Sequence, residues 1–180
     1  MTKRKINIKF ENNDVVSEIL IYLGTMYKFD YEDKSLFTIK DNELFLSNHI
    51  TYDFPKVKID PTIDMFIDLV NNFKSIKFNA YSFDECYTDG STRDFVITYD
   101  TKELVIEYSP WLYEIPLYMY DDYEEFEEEE YDITQEDFEK YKEECEEIYL
   151  DMDDKIYVDK ELKYKEIFSF NEDGVIVKIK

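Results

Sequence analysis

The chain has 180 residues and a formal net charge of −23, from 21 Lys and Arg against 44 Asp and Glu, yet 44% of it is hydrophobic and 18% aromatic. Its 17 Tyr and 14 Phe exclude the acidic disordered class, which has too little apolar surface to offset chain entropy; this length points to one domain, 1–180, burying roughly 70% of its unfolded surface. The sign of the charge argues against direct nucleic-acid or anionic-membrane binding and favours a basic partner.

The N-terminus, Met1-Thr2-Lys3-Arg4-Lys5, has charge but no apolar stretch behind it, so it does not read as a secretory signal. Ile6 to Phe10 alternates apolar and polar residues like a half-buried strand. A helix capped by Asn13 or Asp14 should follow, with Val16, Ile19, Leu20 and Leu23 on one face and Gly24 as its stop. The mostly apolar run Ile19 to Tyr27 is far short of the ~20 residues that cross a bilayer. Tyr27, Phe29 and Tyr31 alternate as a strand, Asp33-Lys34 turns the chain, and Asp41-Asn42 separates Leu36–Ile39 from Leu44–Leu46 as a hairpin.

Asp60-Pro61 opens the best-signalled helix, with Ile63, Phe66, Ile67, Val70 and Phe73 as its buried stripe. Ile76 to Ala80, Phe95 to Tyr99 and Leu104 to Tyr108 then read as a meander, turning near Asp89-Gly90 and Thr101-Lys102. Ser109 to Tyr120 is interrupted by Pro110 and Pro116 and is dense in aromatics. Strands outnumber helices without βαβ alternation. The expected class is therefore α+β: a mainly antiparallel sheet, two core helices and one further, highly acidic amphipathic helix near the C-terminus.

Charge is unevenly spread. Residues 1–120 hold 13 basic and 20 acidic side chains, residues 155–180 hold 6 and 5, and residues 121–154 hold 2 and 19. Within that acidic segment Asp121, Asp122, Glu124, Glu125, Glu127, Glu128, Glu129 and Glu130 surround Tyr123, Phe126 and Tyr131 in a loop. Thr134 then caps a helix in an approximate capping box with Asp137, and Ile133 and Phe138 stand as a hydrophobic staple.

Continued to Met152, that helix puts Phe138, Tyr141, Cys145, Ile148 and Tyr149 inward, and Glu136, Glu139, Glu143, Glu144, Glu146, Glu147 and Asp151 outward. Like charges at i, i+4 oppose stability, and a surface selected for solubility alone mixes its signs. Carboxylates repeating each turn approach phosphate spacing, and Tyr118, Tyr120, Tyr123 and Tyr131 suit stacking on guanidinium groups. The C-terminal segment 155–180 returns as a hairpin around Asn171 to Gly174.

Catalytic signals are few. Glycines stand only at 24, 90 and 174, which excludes a P-loop and a dinucleotide fingerprint. His49 is the sole histidine, excluding a multi-histidine metal site; Asp151-Met152-Asp153-Asp154 lacks the glycine and distal glutamate of an EF-hand. Cys86 and Cys145 are isolated and without CxxC spacing, consistent with reduced thiols in a cytoplasmic protein. Neither enzyme activity, nor a cofactor, nor a metal is expected.

The expected function is an acidic nucleic-acid mimic that occupies the basic groove of a nuclease, in the manner of phage or mobile-element anti-CRISPR or anti-restriction proteins. It would act in the host-cell cytoplasm. Two alternatives share the composition: an immunity protein that neutralises a basic toxin nuclease, and a non-catalytic host protein with a solvated acidic face and a ligand site near Trp111.

Overall fold

A computed structural model describes residues 2–12, 14–27, 37–40, 42–50, 60–86, 90–127, 133–151, 155–158, 160 and 162–180. The chain runs β1 (Thr2–Phe10), α1 (Val16–Tyr27), β2 (Phe37–Lys40), β3 (Glu43–Ile50), α2 (Pro61–Asn72), β4 (Phe78–Cys86), β5 (Thr92–Tyr99), β6 (Glu103–Tyr108) and β7 (Tyr113–Pro116). A 3-10 turn (Leu117–Met119), α3 (Tyr123–Glu127), α4 (Gln135–Glu144), β8 (Glu147–Leu150), β9 (Ile156–Tyr157), β10 (Tyr164–Phe170) and β11 (Ile176–Lys178) complete it. The α+β class, with a large antiparallel sheet, is as expected.

Two sheets share the strands. The larger has eight, in the order β11-β10-β6-β5-β4-β1-β3-β2, with every pairing antiparallel. The first strand lies between β3 and β4, flanked by the β2–β3 hairpin on one side and the β4–β6 meander on the other. The C-terminal hairpin extends the meander's edge. The smaller sheet is β7-β8-β9, joined to the larger through the Thr92–Leu112 bridge, whose two backbone hydrogen bonds measure 2.8 Å each.

Alternation along the strands sets the main core. Ile6, Ile8 and Phe10 of β1, Phe78 and Ala80 of β4, and Phe95, Ile97 and Tyr99 of β5 point to one face, where Val16, Ile19 and Leu23 of α1 and Ile63, Phe66, Leu69 and Val70 of α2 cover them. At roughly 25 cal/mol per Å² of apolar area, this is the dominant favourable term.

The second helix begins as expected: Asp60 accepts from the N–H of Thr62 (2.8 Å) and Ile63 (3.4 Å), and Pro61 occupies the first turn. Phe73 lies just beyond its last residue, half-buried.

Three local expectations are corrected. The first helix starts at Val16, beyond the expected Asp14 cap, and continues through Gly24 to Tyr27. Gly24 therefore does not stop it; packing of Val16, Ile19 and Leu23 outweighs the ~1 kcal/mol helix penalty of one glycine. Tyr27 accordingly ends a helix and does not start a strand; Asn13, Phe29, Tyr31 and the Asp33-Lys34 turn lie outside the described residues.

The largest correction concerns the acidic helix, which ends at Glu144 with Cys145 as its C-cap. Glu147 to Leu150 is a strand, pairing with β7 on one side and β9 on the other. Ile148, Tyr149 and Leu150 are β-branched, aromatic and aliphatic, and a strand buries all three. A helix would have put Leu150 beside the charged face and kept like charges at Glu143–Glu147 and Glu147–Asp151.

The basic Lys3-Arg4-Lys5 is part of β1, and Arg4 turns inward, 2% exposed. Its guanidinium makes a two-point pair with Asp84 on the neighbouring strand, and Asp84 also accepts from the Thr62 hydroxyl at 2.6 Å. Arg93 reaches Asp60 at 2.8 Å, donates to the Ser109 carbonyl at 3.0 Å, and lies 4.4 Å from the Tyr108 ring centre. Both arginines thus secure the start of α2.

Candidate functional site

The acidic segment has its own apolar core. Ile115 and Leu117 lead into it, Phe126 comes from α3, Ile133 and Phe138 from the start of α4, and Ile148 and Leu150 from β8; all are buried. Aromatic packing holds the short α3 against α4: the Phe126 and Phe138 ring centres lie 4.7 Å apart, Tyr120 meets Phe126 edge-on at 5.1 Å, and Tyr123 lies 5.7 Å from Phe138.

The caps are also made. Thr134 Oγ1 accepts from the Asp137 N–H at 3.2 Å and donates to Asp137 Oδ2 at 2.7 Å. Ile133 and Phe138 are both buried, as a staple requires. Asp122 Oδ1 accepts from the Glu125 N–H at 3.1 Å at the start of α3.

Between α3 and α4 lies a cleft of about 690 Å³ lined by Asp121, Asp122, Tyr123, Glu124, Gln135, Phe138, Glu139, Lys142 and Glu143. Carboxylates stand on both walls, with aromatic side chains between. An arginine or lysine side chain entering it would meet negative charge on either side and a ring face, the combination that favours a partly desolvated cation.

One cation is already held here. The Lys142 ammonium donates to the Tyr120 carbonyl and, at 2.6 Å, to that of Asp121, tying α4 to the chain ahead of α3. Sequence periodicity did not single out Lys142, because its role depends on backbone carbonyls brought from 21 and 22 residues away.

Of the expected contact residues, Asp121, Asp122, Glu124, Glu139 and Glu143 come together on this cleft. Glu125, Glu136 and Glu144 are exposed nearby on the same two helices. Glu127 ends α3, while Glu128, Glu129, Glu130 and Tyr131 lie outside the described residues.

The helical strip through Glu146, Glu147 and Asp151 does not exist, because the chain leaves the helix before them. Glu146 sits at a bend, Glu147 Oε1 accepts from the Tyr149 hydroxyl at 2.5 Å, and Asp151 accepts from the Lys155 N–H at 3.0 Å and the Tyr157 hydroxyl at 2.8 Å. Glu147 and Asp151 therefore serve the small sheet.

The tyrosines divide as well. Tyr123 donates to the Ile133 carbonyl at 2.9 Å and Tyr120 packs on Phe126, whereas Tyr118 is 68% exposed. Trp111 is half-buried, its ring centre 5.8 Å from the Arg93 guanidinium carbon. Among the described residues no three His, Cys, Asp or Glu side chains form a group that could hold a metal ion, and no helix is long and apolar enough to cross a membrane. Comparison with protein-family models, curated proteins and solved structures finds no match for the chain.

Proposed function

We propose that the protein is a stoichiometric inhibitor whose α3–α4 cleft docks against the basic nucleic-acid-binding groove of a partner, in the place of nucleic acid. The observation that carries this reading is the convergence of Asp121, Asp122, Glu124, Glu139 and Glu143 on one cleft with an aromatic floor. Its partner is a Lys- and Arg-rich protein, a nuclease of a host defence system being the class that fits a small acidic inhibitor.

The chemistry is that of phosphate substitution. Glu136, Glu139 and Glu143 succeed one another along α4 at about 4.5–6 Å, close enough together to engage a row of cations spaced for a phosphate backbone. Docking releases counterions from both surfaces, so affinity falls steeply as salt rises. The reading needs no bond-making step and assigns no catalytic residue.

The test is capture from a bacterial lysate at low salt, with the four-fold variant Asp121→Lys, Glu124→Lys, Glu139→Lys, Glu143→Lys as comparison. Support is a nucleic-acid-binding protein that is released by a salt step, displaced by added DNA, and not captured by the variant. Capture of the same protein by the variant overturns the proposal.

A further inference from the structure

The eight-stranded sheet has a second face, opposite the one that α1 and α2 cover. Register places Asn7 beside Phe45 on one side and Tyr81 on the other, with Val96 next to Tyr81. Phe45, Tyr81 and Val96 remain 37%, 46% and 36% exposed, apolar groups on β3, β4 and β5 with Asn7 of β1 between the first two. The Asn7 amide oxygen is shielded from water yet has no hydrogen-bond partner.

Several charges of this face are engaged within it. Lys9 pairs with Glu43 at 3.0 Å and Lys165 with Glu107 at 2.9 Å, Asp94 accepts from the Tyr81 hydroxyl, and the Lys5 and Lys160 ammoniums lie 5.9 and 5.7 Å from the Phe83 ring centre. The face thus carries paired charges of both signs, unlike the α3–α4 cleft, so two copies of a chain of net −23 repel each other less here than across the cleft.

Size points the same way. Eight strands spaced about 4.8 Å apart and about 20 Å long present roughly 700 Å², close to the ~800 Å² that each partner buries in a standard stable interface.

We propose that a second copy of the chain docks on this face, sheet against sheet about a twofold axis, with Tyr81 and Val96 at its centre. Two twisted sheets packed in this way align within about 30°, and an isologous contact needs only a self-complementary patch. The inference is independent of the cleft, which lies on other elements. Its salt dependence is also opposite. Salt screens the repulsion between two acidic copies, so the dimer tightens as salt rises, whereas a complex through the cleft loosens.

Sedimentation of the full chain up to about 200 µM at low (about 50 mM) and high (about 500 mM) NaCl tests this. The expected result is a dimer whose dissociation constant falls several-fold at high salt and rises at least about tenfold in Tyr81→Glu and in Val96→Glu. Ile21→Glu adds the same charge at an exposed position of α1, the helix that covers the opposite face, and should leave the dimer intact. A wild-type monomer at the highest concentration and salt overturns the proposal, as does a dimer that survives both face variants or is lost equally in Ile21→Glu.

Discussion

Arg4 and Asp84 form a two-point ion pair across 80 residues of sequence, Nε to Oδ1 at 2.8 Å and Nη2 to Oδ2 at 2.9 Å, with side chains 2% and 3% exposed. Removing one member leaves a charge buried without its partner, which costs about 3–5 kcal/mol, whereas replacing both with apolar groups can be close to neutral. Arg4→Met and Asp84→Leu should each lower unfolding free energy by that amount in urea titrations. The double variant should recover most of the loss, less about 1 kcal/mol for the orphaned Thr62 hydroxyl.

Alkaline pH should weaken the fold through its buried tyrosines. Burial, followed by the 3.0 Å hydrogen bond to Glu166, holds the Tyr108 phenol up to about 12, against an ordinary value of 10.0. The neutral phenol is the form the fold favours, so its contribution is complete below pH 10 and is lost as pH climbs from there through about 12. Tyr99, also buried, shifts in the same direction through burial; Tyr22 and Tyr81, partly exposed, shift likewise through partial desolvation of the phenol, to which the hydrogen bond to Asp94 adds for Tyr81. Melting temperature should therefore drop across this window, and Tyr108→Phe should make the drop shallower without abolishing it.

Thr101 occupies the turn between β5 and β6 with φ at +82°, a left-handed conformation that crowds a β-branched side chain. Asp100 caps the same turn, accepting from the N–H groups of Lys102 and Glu103 at 2.9 Å each; those bonds hold its carboxyl below the usual range. Thr101→Gly should raise stability by about 0.5–1 kcal/mol, the relief of strain exceeding the added freedom of the unfolded chain. A melting-temperature rise of roughly 2 °C reads it out.

The carboxylates of α4 should cost stability in the isolated protein. Glu139 and Glu143 stand one turn apart on the exposed side of that helix, a like-charge pair that opposes folding by a few tenths of a kcal/mol. Glu143→Gln should stabilise the protein by about 0.2–0.5 kcal/mol at low ionic strength. The gain should fade as added salt screens the pair. A destabilised Glu143→Gln would show that the side chain has a structural duty.

Legibility in the sequence followed the range of the deciding interaction. Asp60, Pro61 and the stripe behind them specify α2 within a dozen residues, and Thr134, Asp137, Ile133 and Phe138 specify the start of α4 just as locally. Its end was not legible. Ile148 and Tyr149 fit the helical spacing set by Phe138, Tyr141 and Cys145, but Ile148 pairs with Ile115 and Tyr149 with Glu114, partners more than thirty residues upstream that helical periodicity does not register.

The acidic cluster was visible as composition, while its arrangement was not. The cleft depends on aromatic packing that folds α3 onto α4, and on Lys142 donating to the carbonyls of Tyr120 and Asp121. Glu147 and Asp151 were counted with the helix because residue type does not reveal that Tyr149 and Tyr157 hydroxyls claim them.

The chain's two arginines are both engaged in internal ion pairs, Arg4 with Asp84 and Arg93 with Asp60, so every other permanently cationic side chain is a lysine. A mild acylating reagent would leave the guanidinium pairs that secure α2 chemically untouched while neutralising lysines, Lys142 and its tie to the Tyr120 and Asp121 carbonyls included, so it would separate what holds the start of α2 from what holds α4 in place.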